Sequence, residues 1–236
     1  VAQLKALIFD FDGTLAETER DGHRVAYNEA FADLGLAWIW DEELYGRLLA
    51  VAGGKERVVH FIEAYDPPRP DESPTTLAAR VHARKIARFA GLASKLELRP
   101  GISRIIAEAK AARLDVGIAT TASETGVRDV LGQVPGLLDS FDVIAAGDVV
   151  AHKKPAPDIY EFALRLLSIE AAEAVAFEDS AIGLTSALAA GIRTVVTPSL
   201  YTANDDFRGA AVVRKSLDAY PGTPALDLSG LRELVA

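Results

Sequence analysis

The chain has 236 residues, 50% hydrophobic and 25% charged, with 25 Lys and Arg against 34 Asp and Glu for a formal net charge of −9 at pH 7. That length suits one large α/β domain or a medium domain carrying an insert, and the apolar content is ample for a core, which excludes a mainly disordered chain. The acidic balance argues against general nucleic-acid binding, no apolar run approaches the ~20 residues that span a bilayer, and the absence of Cys excludes disulfides and thiolate metal sites.

The first predicted strand is the apolar run 6–9, and it leads directly into Asp10-Phe11-Asp12-Gly13-Thr14. Ligands of open α/β sheets sit beyond the carboxyl ends of strands, where these carboxylates fall. Alternate residues leave a strand on the same side, so Asp10 and Asp12 can converge, and Gly13 permits a sharp turn. Two close carboxylates repel unless a cation or a proton relieves them. The pair therefore points to a divalent metal on one and acid–base work for the other. A plain polar turn is the alternative.

From about 19 to about 94 the pattern is wholly helical. Val58, Phe61, Ile62 and Tyr65 share one stripe, as do Leu77, Val81 and Phe89, and Asp66-Pro67-Pro68-Arg69-Pro70 must be a loop between them. We read a helical insert after the first strand, with the core at 1–16 and 97–236 and the cap at 17–96. Such an insert is too long for an ordinary crossover. Trp38 and Trp40 fit its core or an interface equally well.

After the insert, helices and strands alternate. A helix is predicted over 101–112 with the stripe Ile102, Ile105, Ile106 and Ala109. The strand at 116–120 ends in Thr120-Thr121, whose hydroxyls and N–H groups suit phosphate oxygens. Lys153-Lys154-Pro155 follows the strand at 143–146, and a Lys there can neutralise a phosphoryl group in transfer. A helix opens at Pro157-Asp158 and runs through Leu167. The strand at 174–177 ends in Glu178-Asp179-Ser180, two carboxylates suited to a hard cation such as Mg²⁺. N-capping by Asp179 is the competing role, and Ser180 opens the next helix, with Gly191 as its C′ residue. Strands at 194–196 and, more weakly, 211–213 complete the set. Continuous apolar strands alternating with helices indicate a doubly wound parallel sheet, an α/β Rossmann-like core. His23, His60, His82 and His152 lack metal-ligand spacing.

Four ordered segments, Asp10-Phe11-Asp12-Gly13-Thr14, Thr120, Lys154-Pro155 and Glu178-Asp179, resemble the motifs of the haloacid dehalogenase superfamily of phosphohydrolases, and the match covers nearly the whole chain. The helical insert resembles that superfamily's first-position cap. Glu17-Thr18, the run from Gly53 to Arg57, the run from Lys153 to Tyr160 and the run from Phe177 to Ser180 are most similar to the CbbY-type phosphatases. His23 sits one place later than the cap-hinge His of such proteins.

The resemblance implies Asp10 as nucleophile and Asp12 as general acid and then base. It implies Mg²⁺ held by Asp10, Asp179, the backbone carbonyl of Asp12 and Glu178, the last directly or through water, with Thr120 and Lys154 on the phosphoryl oxygens. It further implies a small phosphorylated sugar as substrate, xylulose-1,5-bisphosphate or a related pentulose bisphosphate. A phosphosugar mutase like β-phosphoglucomutase and a phosphoglycolate phosphatase are the alternatives. In so acidic a chain a distal phosphate needs local cations, for which Lys55, Arg57, Arg84 and Lys85 are the cap candidates, with Glu17 for sugar hydroxyls and Thr121 beside Thr120. A signalling receiver would be shorter and lack the insert. A dehalogenase would not need the acidic set. No nucleic-acid or membrane partner is expected, nor a second subunit. The chain carries no evident leader, so a cytoplasmic location is expected.

Overall fold

The computed structural model describes residues 2–51, 53–92 and 96–235. The chain divides into two units, Val1–Glu17 with Glu97–Ala236, and Thr18–Leu96. Ser94, which the helical reading reached, lies outside the described residues.

Strand β1 (Ala6–Phe9) opens the first unit and is buried along its whole length. The chain then enters the helical unit through a π-helical turn, Thr18–His23, and continues as α1 (Arg24–Asp33), α2 (Glu42–Leu48), α3 (Gly54–Tyr65) and α4 (Pro74–Leu92). The predicted stripes supply its core: Val58, Phe61 and Ile62 from α3, with Leu77, Val81 and Phe89 from α4, are buried. Tyr65 departs from the expected stripe. It is 46% exposed and stacks on Phe61 at the end of α3. Asp66 stops that helix in the left-handed region (φ 40°), and the prolines prevent its resumption. Trp38 and Trp40 are both core residues. Trp40 packs 4.7 Å from Tyr27 and 4.9 Å from Phe31 between ring centroids. The Trp38 indole donates to the Pro68 carbonyl at 2.8 Å, which ties the proline loop down.

On its return the chain forms α5 (Ile102–Ala111), β2 (Asp115–Thr120), α6 (Glu124–Leu131), β3 (Val143–Ala146), α7 (Asp158–Leu167), β4 (Ala174–Glu178), α8 (Ala181–Ala189), β5 (Arg193–Val196), β6 (Val212–Val213) and α9 (Leu228–Val235). Among the described residues the sheet has six strands in the order β3-β2-β1-β4-β5-β6, and every pairing is parallel. This is the doubly wound α/β core that alternating strands and helices require. The stripe of α5 (Ile102, Ile105, Ile106, Ala109) is buried, each Ile contributing about 1.5–3 kcal/mol by the usual transfer scale.

Register positions the strand ends. Phe9 pairs with Ile118 on one side and Phe177 on the other. The residues that follow Phe9 therefore emerge between the ends of β2 and β4. Where the chain leaves and re-enters this unit, Ala16 bridges Leu98 antiparallel and the Arg99 N–H donates to the Leu15 carbonyl at 2.8 Å.

Candidate active site

Asp10 leaves β1 with its N–H donated to the Phe177 carbonyl at 2.9 Å, so one more rung of the ladder fixes its backbone. A tight turn follows. The Leu15 N–H donates to Phe11 O at 3.0 Å and the Gly13 N–H to Ala16 O at 2.9 Å. Gly13 adopts φ +79°, and a Cβ there would run into the Asp179 carboxylate, so this position demands glycine twice over.

The carboxylates of Asp10, Glu178 and Asp179 are buried, with one oxygen from each within 4.8 Å of the others. The Asp12 carboxylate, half-buried at the turn, stands outside this triad. Lys154 reaches in from the loop after β3, and its ammonium donates to Asp10 Oδ1 and Glu178 Oε1, both at 2.6 Å. The Tyr160 hydroxyl donates to the same Glu178 oxygen at 2.6 Å.

Burial pushes the Glu178 carboxyl up, the Asp10 charge adds to this, and Lys154 opposes it, which leaves its pKa at about 7. Burial also raises Asp179 well above the usual carboxylate range, with the charges of Asp10 and then Glu178 contributing. For Lys154, burial acts downward, but Asp10 and Glu178 outweigh it and hold the ammonium above its ordinary value. Three carboxylates share one ammonium in a buried space, and the raised Glu178 and Asp179 carboxyls show that ionising all three there is costly without a further cation. Charges are not buried unpaired, so the cluster fits a divalent cation, and its all-oxygen donor set suits a hard one.

Ser180, not Asp179, caps α8, its Oγ accepting from the Gly183 N–H at 3.1 Å. Thr202 Oγ1 donates to the Asp179 carbonyl at 2.7 Å and holds that residue from the far side. Thr120 is buried at the end of β2, and its Oγ1 accepts from the Ala122 N–H at 3.1 Å, which leaves its own O–H as a donor. Thr121 is exposed. Glu17 pairs with Arg99 Nε at 3.1 Å.

The helical unit treats its candidates unequally. Lys85 Nζ donates to His23 Nδ1 at 2.8 Å and lies over the Phe89 and Tyr27 rings at 5.1 and 5.5 Å from their centroids. Burial, followed by the charges of Lys85 and Arg57, drives the His23 pKa well down, so its ring is neutral and accepts from Lys85. Arg57 is used internally: it donates to Leu48 O at 3.2 Å, Val51 O at 3.4 Å and the Tyr45 hydroxyl at 3.3 Å. Arg84 pairs with Asp33 at 3.6 Å, beside the closer Arg88–Asp33 pair. Lys55 is exposed in the first turn of α3.

Sequence reasoning placed Tyr160 in a family-like run without giving it a role, and it missed Arg99. Tyr160 lies in the buried stripe of α7 with Ile159, Ala163 and Leu164 and reads as core; its hydroxyl in an otherwise aliphatic stripe was the available signal. Arg99 donates to the carbonyls of Gly13, Thr197 and Pro198, joining the turn after β1 to the loop after β5. No periodicity marks such a contact.

The haloacid dehalogenase-like hydrolase family matches residues 4–191 of the chain. The chain belongs to this family. It is an enzyme of the phosphatase type that the motifs implied. The protein CbbY of Cereibacter sphaeroides is 45% identical over 230 residues, covering 96% of this chain and 98% of its own. The crystal structure of CbbY from Rhodobacter sphaeroides in complex with phosphate is 44% identical, with TM-score 0.79 over 93% of this chain and 99% of that one. A second, of the D10N mutant in complex with xylulose-(1,5)bisphosphate, has TM-score 0.78 at the same identity and covers 94% of this chain and 99% of that one. Among the described residues no helix is long and apolar enough to cross a membrane.

Proposed function

We propose that this hydrolase removes a phosphoryl group from a small sugar bisphosphate, xylulose-1,5-bisphosphate or a related pentulose bisphosphate, with Mg²⁺ and through a phosphoryl group carried on Asp10. The observation that carries the chemistry is the buried triad of Asp10, Glu178 and Asp179 spanned by the Lys154 ammonium. The substrate class is supported by the full-length likeness to CbbY, one structure of which holds xylulose-1,5-bisphosphate.

Asp10, Glu178, Asp179 and the backbone carbonyl of Asp12 would hold Mg²⁺. When bound it supplies Lewis-acid neutralisation of the phosphoryl oxygens. The free Asp10 carboxylate oxygen attacks phosphorus as the bond to the sugar oxygen breaks. Asp12 donates its proton to that departing oxygen, then takes a proton from the water that attacks the Asp10-bound phosphorus, and phosphate leaves. Lys154 has three N–H donors, of which Asp10 and Glu178 engage two, so the third is available to a phosphoryl oxygen. The Thr120 hydroxyl is a second donor. A site of small fixed groups suits a transfer governed by positioning and charge. In the helical unit we assign substrate recognition to Lys85 and Lys55. Lys85 is shared with His23, Arg57 with the carbonyls of Leu48 and Val51, and Arg84 with Asp33.

The test is phosphate release from xylulose-1,5-bisphosphate, phosphoglycolate and β-glucose 1-phosphate, with and without Mg²⁺. Metal-dependent release that strongly favours the pentulose bisphosphate is the expected result. Unselective release would remove the assigned substrate. Conversion of β-glucose 1-phosphate to its 6-phosphate without free phosphate would make the chain a mutase.

A further inference from the structure

The buried cluster includes one polar group to which the reaction above gives no role, the phenol of Tyr160. It is fully buried on α7 and donates to Glu178 Oε1 at 2.6 Å, the same oxygen that accepts from Lys154 at 2.6 Å. Two short donors use both lone pairs of that oxygen. Among the described residues, the hydrogen bond to Oε2 comes from the Asp179 N–H, at a longer 3.3 Å. Gly183 closes the other side, since a Cβ there would collide with the Glu178 carboxylate. The Tyr160 ring also lies against the Lys154 ammonium, with Nζ 4.9 Å from the ring centroid, where the face of the ring attracts a cation. A phenylalanine would fill the same apolar stripe, so packing does not require the hydroxyl.

We propose that Tyr160 is a positioning residue for the metal site: its hydroxyl occupies Glu178 Oε1 and leaves Oε2 for the cation, and its ring seats Lys154 between Asp10 and Glu178. The inference rests on the metal-dependent function proposed above. Groups that orient a metal ligand typically cost 10–100-fold in metal affinity or activity when lost.

The experiment is calorimetric titration of Mg²⁺ into the substrate-free wild-type and Tyr160→Phe proteins, with the Mg²⁺ dependence of turnover at saturating sugar bisphosphate measured alongside. We expect Tyr160→Phe to bind Mg²⁺ about tenfold more weakly and to need correspondingly more for half-maximal turnover, with KM for the sugar little changed at saturating metal. Tyr160→Leu, which also removes the ring, should bind more weakly still and lose kcat. Unchanged Mg²⁺ affinity in Tyr160→Phe, with only a lower melting temperature in chelator, would reduce Tyr160 to packing and overturn the proposal. Equal affinity and kcat in the Phe and Leu variants would overturn the part given to the ring. A wild-type protein that binds no Mg²⁺ would overturn the metal reading together with this inference.

Discussion

Asp10 and Asp12 are two positions apart and chemically identical, yet they differ in burial and partners. Asp10 is buried, paired with Lys154 and grouped with two further carboxylates, whereas Asp12 lies half-buried at a turn outside that group. A proton carrier must change its protonation state during turnover, which the more open position permits. Asp12→Asn should therefore lower kcat by about 10²–10⁴ while leaving Mg²⁺ affinity near wild type; steady-state kinetics and calorimetry read the two effects. His23 gives a residue-scale prediction of another kind. Its folded pKa lies well below the ordinary 6.5, because burial and neighbouring cations disfavour the charged ring. Above 6.5 the ring is neutral in both states. Below it the unfolded chain takes a proton that the folded chain refuses, so stability falls as pH drops. Melting temperatures between pH 7 and pH 5 should fall less steeply in His23→Gln than in wild type.

Among the elements, α8 brings its first turn against the carboxylate that ends β4. Ser180 caps that turn, and Ser180→Ala should cost about 1 kcal/mol of unfolding free energy in denaturant titration. Gly183 sits where helix propensity alone would favour alanine. A Cβ there meets the Glu178 carboxylate, however, so Gly183→Ala should lose about 10²-fold in kcat/KM through a displaced ligand. The strands were legible in sequence because parallel strands buried on both faces read as continuous apolar runs, as Ala6–Phe9 and Val143–Ala146 do. The ends were less so: β2, β4 and β5 each extend by one residue through Asp115, Glu178 and Arg193, polar residues that an apolar pattern omits. Neither α6 nor α9 was anticipated; each is only 8 residues long. The π-helical turn at Thr18–His23 was also invisible, since its wider ring depends on tertiary packing.

For the molecule as a whole, Asp10, Glu178 and Asp179 were readable because each stands at or just beyond a predicted strand end, whereas Lys154 reaches them from within the loop that follows β3. The sheet order then brings β1 beside both β2 and β4. What the sequence could not convey was which cations are already engaged. Arg57, Arg84 and Lys85 read alike on paper, but carbonyls engage the first, Asp33 the second and His23 the third. Partners distant in sequence, such as Tyr160 for Glu178 and Arg99 for Gly13, were hidden for the same reason. The mutual repulsion that raises the carboxyls of the buried triad predicts a molecular consequence. Mg²⁺ should raise the melting temperature, and chelation should lower it and abolish turnover, both read in one thermal and activity series.

The central claim is that phosphorus passes through Asp10. It is tested most directly by mixing enzyme, Mg²⁺ and xylulose-1,5-bisphosphate, quenching in acid within one turnover, and mapping the peptides by mass. The account predicts one phosphoryl group on the peptide that carries Asp10, absent from Asp10→Asn. Phosphate release at the wild-type rate from Asp10→Asn, with no phosphorylated Asp10 in the wild-type enzyme, would contradict it.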